Sequence, residues 1–75
     1  MFKKVCSILE DIFEQDASSI TPQTSFDTDL YADLQDMQEL FMIIEEEFDI
    51  QTDEADIPSI LTVGDLCSYI EANIE

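Results

Sequence analysis

The chain has 75 residues, of which 19 are Asp or Glu, 2 are Lys or Arg and none is His, for a formal net charge of -17. So short a chain is expected to make one domain over residues 1–75, burying only about 60% of its unfolded surface. The charge excludes ordinary nucleic-acid binding, which needs cations against phosphates, and disfavours an anionic membrane surface. The absence of histidine removes the usual neutral-pH acid–base residue, the Ser-His-Asp arrangement and most catalytic zinc sites.

Hydrophobic residues nevertheless make up 45% of the chain, broken by only 1 Gly and 2 Pro. Disordered acidic tails are poor in such residues, so a folded helical protein is expected. Cys6 and Cys67 are too few for a secreted disulfide scaffold and read as small core residues. A bridge between the first and last helices is disfavoured by a reducing setting. Phe2 is followed at once by Lys3, Lys4 and a mixed segment, which is not the pattern of a secretory leader. The longest apolar run, Leu40 to Ile44, is far short of a membrane span. A soluble, cytoplasmic monomer is the expectation.

Residues 2 to 15 carry Val5, Ile8, Leu9, Ile12 and Phe13 at the spacing of one helical face. Lys4, Ser7, Glu10, Asp11 and Glu14 lie opposite. Lys3 and Lys4 are the only cations and should pair with nearby acids, each pair contributing about 0–1 kcal/mol. Residues 16 to 33 lose the period: Ser, Thr, Pro and Asp dominate, and Thr21-Pro22 marks an extended turn. Ile20, Phe26 and Leu30 should pin this long connection across the helices; long loops in compact proteins often carry function.

Residues 34 to 48 give the strongest helical pattern. Met37, Leu40, Phe41, Ile44 and Phe48 form one face, and Leu34, Met42 and Ile43 widen it. Asp33 or Asp36 can cap the start. Glu45, Glu46 and Glu47 crowd the end, where the helix dipole disfavours them. Residues 49 to 61 are short and mixed, and either Thr52-Asp53-Glu54-Ala55 or Pro58 can open a turn. Residues 63 to 74 resume the helical period through Val63, Leu66, Cys67, Ile70 and Ile74, with Thr62 as N-cap and Gly64 at a small cost. Nothing alternates with period two. The expected fold is all-α: a small up-and-down four-helix bundle of three main helices and one short one, with a long first loop. Repulsion among the carboxylates predicts a stability that rises with salt and on mild acidification from neutral pH.

Asp29-Leu30-Tyr31-Ala32-Asp33-Leu34-Gln35-Asp36, followed by Glu39-Leu40, Met42 and Glu45-Glu46-Glu47-Phe48-Asp49, resembles the acyl carrier protein family. The family's motifs there are D-L-G-A-D-S-L-D and E-E-E-F-D. The likeness runs on through Leu61-Thr62-Val63 and Ser68-Tyr69-Ile70. It implies the helical bundle and a carrier rather than an enzyme, holding its cargo as a thioester on 4'-phosphopantetheine esterified to the serine of the D-S-L motif. In this sequence Asp33 matches the aspartate, but Leu34 stands where the serine would be, Gln35 where the leucine would be, and Tyr31 where the glycine would be. Attachment needs a hydroxyl oxygen as nucleophile. Leucine has no heteroatom and the glutamine amide is no substitute, so no cofactor is expected at this position. Ser25 and Ser59 are the alternative hydroxyls, though neither follows an Asp at a helix start.

The resemblance further implies docking onto basic surfaces of thioester-metabolism enzymes through Asp33, Asp36, Glu39, Glu45 and Glu46, with Met42 as the apolar contact. Helical spacing puts Glu39, Met42 and Glu46 along one exposed stripe. Phe26, Leu40, Ile44, Ile60 and Leu66 match the family's acyl storage space and should here be packed core. No metal site is expected. An EF-hand loop begun at Asp27 would meet Ala32 and Gln38 where Gly and Glu are required, and one begun at Asp49 would meet Glu54 and Ile60. Glu45, Glu46, Glu47 and Asp49 suggest at most a loose, unselective divalent-ion site. Three functions follow: a docking or regulatory subunit of fatty-acid, polyketide or related metabolism without the arm at Leu34; a carrier loaded at Ser25 or Ser59; and a divalent-ion-responsive acidic module.

Overall fold

A computed structural model describes residues 2–74. Helix α1 spans Phe2–Phe13, α2 spans Leu34–Phe48 and α3 spans Val63–Asn73, with short 3-10 helices at Ala17–Ser19 and Glu54–Ser59. The three α-helices and the longer 3-10 helix form the bundle, and no strand occurs among the described residues.

Helix α1 buries Val5, Cys6, Ile8 and Leu9. It ends at Phe13, two residues before the periodicity predicts, because Glu14 takes a left-handed conformation with φ 54; such a residue closes a helix by turning the chain away from the next backbone bond. Ile12 and Phe13 are therefore half-buried at the helix end.

The long connection is anchored as its apolar residues predict: Ile20, Phe26 and Leu30 are all buried. It is also more ordered than its composition suggests. Asp16 caps the first 3-10 turn, its Oδ1 accepting from the Ser18 amide at 3.0 Å and the Ser18 hydroxyl at 2.9 Å. Those bonds hold the Asp16 carboxyl below the usual carboxylate range. Glu10 Oε2 accepts from the Ala17 amide at 2.8 Å, tying the turn back to α1.

The end of this connection is stitched to the start of α3. The Phe26 amide donates to the Leu61 carbonyl at 3.1 Å, Val63 to Thr24 at 2.9 Å and Gly64 to Pro22 at 2.8 Å. A Cβ at residue 64 would lie 2.9 Å from the Pro22 carbonyl oxygen. Gly64 is thus required by close backbone approach, a reason that helix propensity alone does not reveal.

Both caps of α2 act together. Asp33 Oδ1 accepts from the Asp36 amide at 2.8 Å, and Asp36 Oδ2 accepts from the Asp33 amide at 3.3 Å, forming a capping box. Asp49, left-handed at φ 53, ends the helix. Between α2 and α3, Asp53 opens the second 3-10 helix by accepting from the Ala55 amide at 2.9 Å, and Pro58 lies inside that helix. Thr62 caps α3 as its sequence position predicts, again in a reciprocal box with Asp65. Ile74, expected on the apolar face, falls just past the end of α3 and is exposed. Phe48 is half-buried rather than part of the core.

One contiguous core joins these elements. Val5, Leu9, Leu40, Ile44, Val63, Leu66 and Ile70 are 0% exposed, each contributing about 1.5–3 kcal/mol by burial. Cys6 is buried, Cys67 is half-buried and both are free thiols. Burial pushes both thiols up from their ordinary value. Lys4 pairs with Glu47 at 3.6 Å and lies 5.3 Å from the Phe48 ring centre; Lys3 makes no ion pair among the described residues.

Candidate functional site

Two features of α2 meet the surface: its first turn and its outward face. Leu34 is the first residue of the helix, held there by the Asp33–Asp36 box, and its side chain is 62% exposed. Tyr31, three residues earlier, is 82% exposed and has φ 53. A left-handed backbone costs a side-chain-bearing residue about 1–2 kcal/mol. The glycine of the motif fits this position without that strain, so the backbone explains the motif's residue and Tyr31 departs from it. The phenol stands in solvent in spite of the strained backbone.

Leu34 lies on the edge of a cleft of about 410 Å³ between the start of α2, the long connection and the second 3-10 helix. Buried Phe26, Met37, Ile57 and Ile60 form its floor, and exposed Leu34 and Leu61 its apolar rim, with Asp27 and Asp33 beside them. Ser25 lines the same cleft, a juxtaposition across nine residues of chain that the sequence did not disclose. Its Oγ accepts from the Asp27 and Thr28 amides at 3.3 Å each. Ser59 is exposed and donates its hydroxyl to the Asp56 carbonyl at 2.7 Å. The helix start thus presents carbon where a serine-linked arm needs oxygen. Leu34 does not fit attachment of phosphopantetheine, and Gln35 does not replace it.

The acids of α2 divide into two sets. Asp33 and Asp36 serve the capping box. Glu45 is half-buried, and its Oε2 accepts from the Thr52 amide at 3.0 Å, bracing the chain after α2. Glu39, Met42 and Glu46 face solvent along one stripe, Met42 being 64% exposed. The six residues therefore lie on one helix and its cap, with three unencumbered and three also holding structure. The loose divalent cluster is not assembled: Glu45 turns to Thr52 and Glu47 to Lys4. No group of three or more candidate metal ligands occurs among the described residues.

Phe26, Leu40, Ile44, Ile60 and Leu66, the residues matched to an acyl storage space, are all buried in the core. Next to them is a clamp the sequence did not reveal. The Tyr69 ring stacks on Phe41 with centroids 5.7 Å apart. Its hydroxyl donates to Asp56 Oδ2 at 2.8 Å and accepts from the Asp53 amide at 3.2 Å. Burial and the bond to Asp56 hold its phenol above the ordinary value. This clamp fixes the second 3-10 helix, which supplies one wall of the cleft.

Residues 3–70 match the family described as "Phosphopantetheine attachment site". The chain is 41% identical over 75 residues to an acyl carrier protein of Clostridium acetobutylicum, covering 100% of this chain and 97% of that protein. It is 40% identical over 74 residues to one of Thermotoga maritima, covering 99% of this chain and 91% of the relative. Its structure superposes with a TM-score of 0.81 on the acyl carrier protein from Enterococcus faecalis, at 32% identity, covering 96% of this chain and 91% of the other.

Proposed function

The chain belongs to the acyl carrier protein family, and on that premise we propose that it is a docking or regulatory subunit that carries no arm at the usual helix start. Members of the family are carriers of thioester metabolism rather than enzymes; they bear 4'-phosphopantetheine and interact with enzymes of fatty-acid and related metabolism. One observation carries the departure: the first residue of α2 is Leu34, exposed and without a heteroatom. The docking face is kept. Glu39, Met42 and Glu46 form its open stripe, while Asp33, Asp36 and Glu45 add charge from positions that also cap or brace the fold.

A net charge of -17 steers basic enzymes of fatty-acid, polyketide or related metabolism toward this face in the cytoplasm, with strong salt dependence. Charge reversal tests the reading. The double variant Glu39→Lys, Glu46→Lys should lose the basic enzymes that the native chain retains from a lysate of its own organism at low salt. Identical retention by both proteins would refute docking through this stripe. A second reading, a carrier loaded at Ser25, is favoured by one observation: this hydroxyl lines the cleft next to Leu34. Intact mass after exposure to coenzyme A and a phosphopantetheinyl transferase separates the two.

A further inference from the structure

The cleft at the start of α2 is left without an internal partner, and its surface is mainly carbon. Leu34 and Leu61 on its rim are 62% and 63% exposed. Tyr31, three residues before Leu34, is a further exposed aromatic residue, held on a left-handed backbone. Neither side chain on the rim supports the core, and apolar residues grouped at an acid-edged notch mark an interaction site.

The charge distribution selects the occupant. Asp27 and Asp33 line the notch, and no Lys or Arg does among the described residues. Lys4 is engaged with Glu47 and Phe48 at the opposite end of α2, about 20 Å away at the helical rise. A free fatty acid or an anionic lipid would meet repulsion here, and so would a second copy of a chain with net charge -17. A cationic polypeptide meets attraction and can bring an apolar side chain with it.

We infer that this cleft receives an apolar side chain from a cationic segment of a partner protein, at the place where relatives carry a covalent arm. The inference deepens the docking reading and rests on it: the α2 stripe supplies steering, and the notch supplies short-range grip. Leu34 then has a role of its own, as one wall of the pocket for that anchor.

Two synthetic peptides of equal length and lysine content test this, one carrying leucines along one helical face and the other serines in their place. Each is titrated into the full chain and followed by backbone amide shifts. The leucine peptide should bind about tenfold tighter, as burial of one aliphatic side chain implies, with shifts centred on Ala32, Leu34, Met37 and Leu61. Leu34→Gln and Leu61→Gln should each remove most of that preference, while Met42→Gln, which weakens docking of both peptides, should leave the ratio between them in place. Two independent exposed positions keep the test intact should one variant misfold by circular dichroism. Equal binding of the two peptides, or a preference that depends on Met42 and not on Leu34 or Leu61, would overturn the notch while leaving docking through the stripe standing. Binding of neither peptide would overturn both.

Discussion

The two faces of α2 obey different rules. Inward, Met37, Leu40, Phe41 and Ile44 are buried at the spacing of a single helical face. Outward, Leu34 and Met42 are apolar too, yet more than 60% exposed. The inner set is explained entirely by the fold. The outer set adds little to stability and keeps apolar surface in water, and it is the set that the proposed docking would use. The lesson is that hydrophobicity alone does not assign a residue to a core; its phase on the helix does.

Removing a side chain from the inner face should have the largest effect. Leu40 is 0% exposed, and Leu40→Ala should cost about 2–5 kcal/mol, enough to unfold much of so small a protein at low salt. Urea denaturation followed by circular dichroism measures it. Gly64→Ala should come next. Its new Cβ would lie 2.9 Å from the Pro22 backbone oxygen, and overpacking of this kind costs about 1–3 kcal/mol. The same denaturation series should show a lower midpoint with an unchanged slope.

Tyr69→Phe should cost about 1 kcal/mol through loss of its hydrogen bonds, and it adds a pH signature. The folded-state pKa of Tyr69 is raised, chiefly by burial and then by the bond to Asp56. The unfolded chain therefore loses this proton first. The stabilisation is complete below the unfolded value of about 10 and is lost as pH rises through the folded value. Native protein should show a steeper drop in Tm above about pH 10 than Tyr69→Phe, which keeps only the part due to the raised thiols of Cys6 and Cys67. The smallest effect belongs to the outer face: Met42→Gln should shift stability by no more than about 0.5 kcal/mol while weakening docking. A large loss of stability in this variant would erase the distinction between the two faces.

The inner face, the loop anchors Ile20, Phe26 and Leu30, and the cap at Thr62 were legible in the sequence because periodicity and capping chemistry are local. The ends of helices were less so. Glu14 stops α1 by a left-handed turn without the glycine that ordinarily announces one, and the choice between Asp53 and Pro58 depended on which one caps the second 3-10 helix. The outward stripe was readable from helical spacing, but the tie from Glu45 to Thr52, the Tyr69 clamp and the meeting of Ser25 with Leu34 in one cleft were not. Those contacts join residues whose proximity is produced only by packing of the helices. Composition warned of none of them, and the same is true of Gly64, whose neighbour Pro22 is remote in sequence.

Intact mass spectrometry of the native chain and of Leu34→Ser, each incubated with coenzyme A and a phosphopantetheinyl transferase, tests most directly whether the missing oxygen at the helix start defines this protein. The native mass should stay unchanged and Leu34→Ser should gain one phosphopantetheine group, since the capped helix that presents residue 34 is intact. A native chain that acquires the arm would contradict the account.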